Sequence, residues 1–161
     1  MRSAVNVSAR QSADDARRYP SGELDHEISP SLADALLSSK NIRPDRLYSH
    51  QAAAINALHP SPEHPRGQNV IISTSTSSGK SLIYQLPVAQ ALEEDSDTTA
   101  LYVFPTKALA QDQKRALGEL VGGVEGLEGV KIATFDGDTP RDDRDYIRDN
   151  ANVVRPSPPL P

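Results

Sequence analysis

Apolar residues fall into two patterns along this chain, one recurring every three to four positions and one running nearly unbroken over four to seven. In the first pattern, Leu32, Ala35 and Leu36 stand at i, i+3 and i+4 within Ser31-Leu32-Ala33-Asp34-Ala35-Leu36-Leu37. This predicts a short amphipathic helix capped by Ser29 or Ser31. Residues 49–58 predict a second helix, broken by the prolyl loop 59–67. Further helices are expected from 81 to about 94 and from 107 to about 120, where Gly122 and Gly123 stop the second. Another should run from 140 to about 149, with Thr139 as cap and Pro140 at the first helical position. The second pattern predicts strands at Asn69-Val70-Ile71-Ile72, at 98–104, at 130–135, and a fourth beginning at 151–154. The run 98–104 is apolar enough to be expected buried on both faces. Alternating strands and helices with short connections predict an α/β fold with a parallel sheet and right-handed crossovers.

Both ends depart from these patterns. Residues 1–20 are polar without periodicity and read as a disordered lead-in, which leaves 21–154 as the folded part. Residues 155–161 hold four prolines in seven positions and cannot donate a regular ladder, so the fourth strand is expected to be cut short. A length of 161 residues has room for one α/β domain and not for two in tandem. The absence of cysteine excludes a disulfide framework, a thiol nucleophile and a Cys-based zinc site, and fits a reducing compartment. A net charge of -5 argues against the whole chain acting as an electrostatic glove for nucleic acid, so any such contact must be local. No apolar run approaches the roughly 20 residues of a membrane span, so no membrane partner is expected and the protein should be soluble. Arg2, Arg10, Arg17 and Arg18 among serines raise the alternative of a transit peptide, but Asp14 and Asp15 interrupt them and no apolar core follows.

The chemistry is concentrated in Ser73-Thr74-Ser75-Thr76-Ser77-Ser78-Gly79-Lys80-Ser81, between a predicted strand and a predicted helix. Main-chain N–H groups in such a loop, with the positive end of the following helix, form a cradle for a polyphosphate. In this reading, the loop residues Thr76, Ser77, Ser78 and Gly79 line the cradle. Lys80 reaches the β- and γ-phosphates of ATP as the catalytic cation, and the Ser81 hydroxyl is a ligand to Mg²⁺. The usual phosphate-loop pattern has glycine five residues before Gly79, where this chain has Thr74. Upstream, Gln51 lies on the first turn of a helix, and its amide carries the donor and acceptor needed to read an adenine edge, with Tyr48 available to flank the base. Downstream, Thr106 and Lys107 follow a strand end and begin a helix, so they offer a hydroxyl, N–H donors and a charge to a nucleic-acid phosphate. Arg144 and Arg148 stand one helical turn apart among Asp142, Asp143, Asp145 and Asp149, and an ion-paired solvent face is the expected reading there.

Gln51, residues 76–81 and Pro105-Thr106-Lys107-Ala108-Leu109-Ala110 resemble the Q motif, motif I and motif Ia of DEAD/DEAH-box superfamily 2 helicases. More narrowly, Leu47-Tyr48-Ser49-His50-Gln51-Ala52, the run from 73 to 85, the run from 104 to 113 and Phe135-Asp136-Gly137-Asp138-Thr139-Pro140 are similar to the Hrq-type, RecQ-related branch of DNA repair helicases. The likeness extends from about Arg17 to Val154. It implies a P-loop NTPase fold with an incomplete RecA-like parallel sheet flanked by helices. It further implies ATP and Mg²⁺ as cofactors, single-stranded DNA backbone contacted through motif Ia, and nuclear residence.

After Val154 the family pattern continues into motif Ib and the DExH motif II, where this chain has Arg155-Pro156-Ser157. Motif II supplies the carboxylates that complete the Mg²⁺ shell and orient the attacking water. The expectation is therefore an ATP-binding N-terminal portion of an ATP-dependent DNA helicase, inactive by itself without motif II and the second RecA-like domain. A parallel sheet short of strands should also be marginal and prone to aggregate. The alternative is a truncated, non-enzymatic module that binds nucleotide or a partner. A small P-loop kinase or GTPase suits the length, but no Asn-Lys-x-Asp guanine reader is present and residues 105–110 have no role in such folds.

Overall fold

The computed structural model describes residues 4–8, 21–75 and 78–156, with side chains described at 21–75 and 78–153. Seven strands and five helices are present among them: β1 (Ala4–Ser8), β2 (Ser21–Gly22), α1 (Pro30–Lys40), β3 (Leu47–Tyr48), α2 (Ser49–Leu58), β4 (Asn69–Ser73), α3 (Lys80–Glu94), β5 (Ala100–Leu101), α4 (Lys107–Val121), β6 (Ile132–Phe135), α5 (Arg141–Asn150) and β7 (Val153–Pro156). The predicted α/β alternation is present. β1 runs parallel to β4, and β5, β7 and β6 form a parallel sheet in that order. The short antiparallel pair β2–β3 was not anticipated by the pattern.

Local chemistry sets the helix ends. The Ser29 hydroxyl accepts from the Leu32 N–H at 3.0 Å, Pro30 occupies the first turn of α1, and Asn41 closes the helix in the left-handed conformation. The predicted stripe Leu32, Ala35 and Leu36 is buried. It packs α1 onto α4, whose buried face carries Ala110, Leu117, Leu120 and Val121. Lys40 Nζ also donates to the Ala116 carbonyl across this contact at 3.1 Å. One core joins these helices to Leu47, Ile55, Leu86, Leu92 and Val153. Tyr84 and Gln85 on α3 both donate to Gln113 Oε1 on α4, at 2.7 and 3.0 Å, so the two helices that begin at the candidate site loops are tied together.

Four expectations differ from the fold. Residues 4–8, expected in a disordered lead-in, form β1, because Ala4-Val5-Asn6-Val7-Ser8 alternates with period two and β4 offers it a complete parallel register. The rest of the lead-in lies outside the described residues. The strand expected over 98–104 is reduced to Ala100–Leu101, which pairs on one side with β7. Leu101 is 66% and Val103 68% exposed, so this segment is not covered on both faces. Pro140 is the N-cap of α5 and not its first helical residue. The expected cap, Thr139, instead accepts from the Asp136 N–H through its hydroxyl at 2.9 Å. Finally, β7 continues through Arg155 to Pro156, opposite Thr134 and Phe135 of β6. Pairing with β5 ends at Val154, so the proline lies where, among the described residues, β6 alone needs a ladder.

Candidate functional site

β4 delivers the chain into the Ser/Thr loop, and α3 begins at Lys80 immediately after Gly79. Gly79 has φ +73°, a backbone conformation that suits glycine. A Cβ there would also meet Gln51 Nε2 at 2.4 Å. Gly79 is therefore required twice, by its torsion and by the approach of α2.

The first turn of α2 clasps this loop. His50 Nε2 lies 2.9 Å from the Ser78 carbonyl oxygen, and Gln51 Nε2 donates to the Gly79 carbonyl oxygen at 3.0 Å. Gln51 Oε1 meanwhile accepts from the Tyr48 N–H at 2.9 Å, so the amide bridges the start of its own helix and the phosphate loop. Both His50 and Gln51 are buried. Tyr48 is partly exposed, and its ring lies near parallel to that of His50 with centroids 5.7 Å apart.

Lys80 reaches back over the loop. Its Nζ donates to the Thr74 carbonyl at 3.1 Å and to the Ser75 carbonyl, with Ser78 Oγ at 3.5 Å. Thr74 Oγ1 and Ser78 Oγ share a hydrogen bond of 2.6 Å. Where the common pattern has glycine, Thr74 thus contributes a hydroxyl that closes the loop on itself. All of these Lys80 partners are neutral oxygens, and no carboxylate among the described residues pairs with it. The main-chain N–H groups of Gly79, Lys80 and Ser81 likewise have no backbone acceptor among the described residues. A half-buried cation at a helix start, with no carboxylate partner among the described residues, is an arrangement that accepts an anion. Ser81 stands in the first turn of α3. Thr76 and Ser77 lie outside the described residues.

The second predicted cluster is engaged within the fold. Thr106 is the N-cap of α4, its Oγ1 accepting from the Leu109 N–H at 3.3 Å. Lys107 Nζ pairs with Asp138 and stands 4.0 Å from Asp136. The hydrogen bond to Asp138, aided by the charges of Asp136 and Asp138, raises the Lys107 pKa above the ordinary lysine value. The turn that carries these carboxylates is ordered by its own contacts: Asp136 Oδ1 accepts from the Asp138 N–H at 2.8 Å. Arg144 Nε donates to the Thr139 carbonyl at 2.9 Å and Nη2 to the Gly137 carbonyl at 3.3 Å, with the guanidinium over the Phe135 ring. Arg148 forms the expected ion pairs, to Asp145 and Asp149, both at 2.9 Å, whereas Arg144 binds backbone and not the acidic face.

Sequence reasoning did not single out His50, Asp136 or Asp138. His50 had a signal, since it adjoins Gln51 on the same helix turn. The two aspartates lie about 30 residues from Lys107, and only the packing of β6 beside α4 brings them to it. Among the described residues no group of three or more His, Asp or Glu side chains could hold a metal ion, and no helix is long and apolar enough to cross a membrane.

Comparison with known proteins gives this geometry a context. The DEAD/DEAH box helicase family model matches residues 48–158. The chain is 47% identical over 139 residues to the ATP-dependent helicase hrq1 of Schizosaccharomyces pombe, covering 86% of this chain and 12% of that protein. It is 51% identical over 116 residues to the ATP-dependent helicase HRQ1 of Saccharomyces cerevisiae, covering 72% of this chain and 10% of the relative. The chain thus spans roughly a tenth of these curated relatives. Among solved structures, the DUF1998 helicase MrfA bound to DNA superposes with a TM-score of 0.73 at 34% identity, over 88% of this chain and 18% of that one. MrfA bound to DNA and AMPPNP gives 0.66 at 35% identity, over 87% and 19%. The family match takes in the clasped loop, Lys80 and both helices that start at the two clusters, and on that basis the chain belongs to the DEAD/DEAH box helicase family.

Proposed function

We propose that this chain is the ATP-binding segment of an ATP-dependent DNA helicase of the Hrq type. Lys80 carries the reading: among the described residues its ammonium is held over the phosphate loop by neutral oxygens alone, beside N–H donors that have no backbone acceptor there. In a closed ion pair an anion would add nothing, whereas here a polyphosphate supplies the missing negative charge. Lys80 then binds the β- and γ-phosphates, Thr76, Ser77, Ser78 and Gly79 cradle them, and the Ser81 hydroxyl is one ligand to Mg²⁺. The donor set suits that ion, because Mg²⁺ takes oxygen ligands, keeps several waters and binds largely through the nucleotide's own phosphates. Bound there, Mg²⁺ neutralises phosphate charge. Gln51 uses one N–H and one lone pair inside the fold, which leaves its second N–H and lone pair for the adenine edge, with Tyr48 beside the base.

Thr106, Lys107 and the start of α4 are proposed to meet a single-stranded DNA phosphate. The Lys107–Asp138 pair opens for that contact. In a polypeptide of the relatives' length, a second RecA-like domain would close on the nucleotide and couple its hydrolysis to movement along DNA, in the nucleus and in DNA repair. Binding of Mg-ATP by the 161-residue chain should be lost in Lys80→Ala. Unchanged affinity in that variant would refute the site assignment. The alternative, a module that binds nucleotide without hydrolysing it, is excluded if this chain shows DNA-stimulated ATP hydrolysis.

A further inference from the structure

His50 has no assigned task in the reading above, yet it is buried and directed at the phosphate loop. Its Nε2 stands 2.9 Å from a carbonyl oxygen, and a carbonyl only accepts, so Nε2 carries the hydrogen and donates. The acceptor is the carbonyl of Ser78, the residue before Gly79. The peptide between Ser78 and Gly79 is trans, since no cis peptide bond occurs among the described residues, and in a trans peptide the C=O and the following N–H point in opposite directions. A Ser78 carbonyl drawn toward α2 therefore turns the Gly79 N–H away from α2. The same holds one residue on, where Gln51 Nε2 holds the Gly79 carbonyl and thereby turns the Lys80 N–H. Two consecutive side chains on one helix turn thus orient two consecutive peptides, and their N–H groups are those left without a backbone acceptor among the described residues.

We infer that His50 is a positioning residue for the nucleotide's phosphates: its Nε2–H bond to the Ser78 carbonyl sets the direction in which the Gly79 N–H is presented. This rests on the proposed nucleotide-binding role of the loop. The bond is local to one peptide, and it contributes to phosphate affinity by removing the need to reorient that peptide when the anion arrives. Its loss leaves the loop free to rotate Ser78–Gly79 and weakens binding by about tenfold, the worth of one buried hydrogen bond.

The test compares His50→Gln with His50→Asn in the full 161-residue chain, with Mg-ATP affinity measured by competition against a fluorescent ATP analogue. Gln extends an N–H donor to the place of Nε2, whereas Asn is one carbon shorter and does not reach Ser78. Both are polar and of similar burial cost, which separates donation from packing. The expected result is affinity within about threefold of wild type for His50→Gln and about tenfold weaker for His50→Asn. Equal affinities for the two variants, whether both retained or both lost, would overturn the inference. In parallel, Lys80→Ala reports on the underlying reading. If Lys80→Ala binds like wild type, or wild type does not bind, the nucleotide site itself fails. If Lys80→Ala alone loses binding, the site stands and the role of His50 is refuted.

Discussion

Replacing Gly79 by alanine isolates what the clasp between α2 and the phosphate loop is worth. Gly79 and Gly126 share a left-handed backbone, φ +73° and +86°, but differ in what an added Cβ would meet. At Gly126 nothing lies within 4 Å, whereas at Gly79 the Cβ would fall 2.4 Å from Gln51 Nε2. Gly126→Ala should therefore carry only the conformational cost of an L-residue in this region, about 1–2 kcal/mol. Gly79→Ala adds the displacement of Gln51. That displacement breaks its hydrogen bond to the Gly79 carbonyl and leaves a buried amide donor unsatisfied, a further ~1–3 kcal/mol. The unfolded chain loses the same freedom in both variants, so that contribution cancels in the comparison. Urea unfolding of the two variants, followed by far-UV circular dichroism, should place Gly79→Ala lower by this difference at unchanged m-value. Adding Gln51→Ala removes the atom that is struck, and the cost of Gly79→Ala should then fall to that of Gly126→Ala, a coupling typical of residues in contact. Equal destabilisation at the two glycines, or a cost at Gly79 that Gln51→Ala leaves untouched, would refute the clasp.

Two further outcomes follow from ion pairs and titration. Lys107 is engaged by Asp138 and Asp136 at the proposed DNA-phosphate contact, so Asp138→Asn should bind single-stranded oligonucleotide more tightly. Lys107→Ala should bind more weakly and lower the salt slope by about one, read by fluorescence anisotropy across ionic strengths. An Asp138→Asn variant with wild-type affinity would show that the pair does not compete with phosphate. His26 stacks on His59 with centroids 3.7 Å apart, and burial lowers its pKa below 6.5, with the charge of His59 acting in the same direction against the Gln90 hydrogen bond. The unfolded chain then binds the His26 proton more readily than the fold does. The stability His26 contributes is full above about pH 6.5 and is lost as pH falls below it. Thermal midpoints measured from pH 7.5 to 5.5 should therefore decline, and His26→Phe, which keeps a stacking ring, should flatten that decline.

How much was legible in the sequence differs by element. The stripe Leu32, Ala35 and Leu36, a serine cap at Ser29 or Ser31 and the Ser/Thr loop between β4 and α3 depend on neighbours within a few positions, and periodicity and capping chemistry reveal such features directly, the structure choosing Ser29. That Gly79 and Lys80 stand at the junction of loop and helix, and Gln51 on the first turn of α2, was legible for the same reason. The extent of 98–104 was not, because an apolar run gives no account of how many strands flank it, and among the described residues β5 pairs with β7 alone. β1 was missed since five alternating residues gain their meaning only from an edge of β4 more than 60 positions away. Thr106 and Lys107 were correctly placed at a helix start. The sequence could not show that the hydroxyl caps that helix or that Asp138 claims the lysine.

The sequence by itself determined the α/β alternation, the places of the five helices and the Ser/Thr loop between β4 and α3, because these arise from interactions spanning one or two turns. Only the tertiary structure decided which carbonyls of that loop are drawn toward α2, since His50 and Gln51 lie 28 residues before the groups they hold. It decided likewise which cation is left without a carboxylate partner among the described residues. Lys80 and Lys107 both begin helices after strands, yet one is surrounded by neutral oxygens and the other meets two carboxylates. Charge balance at a distance is set by packing, and no local pattern encodes it.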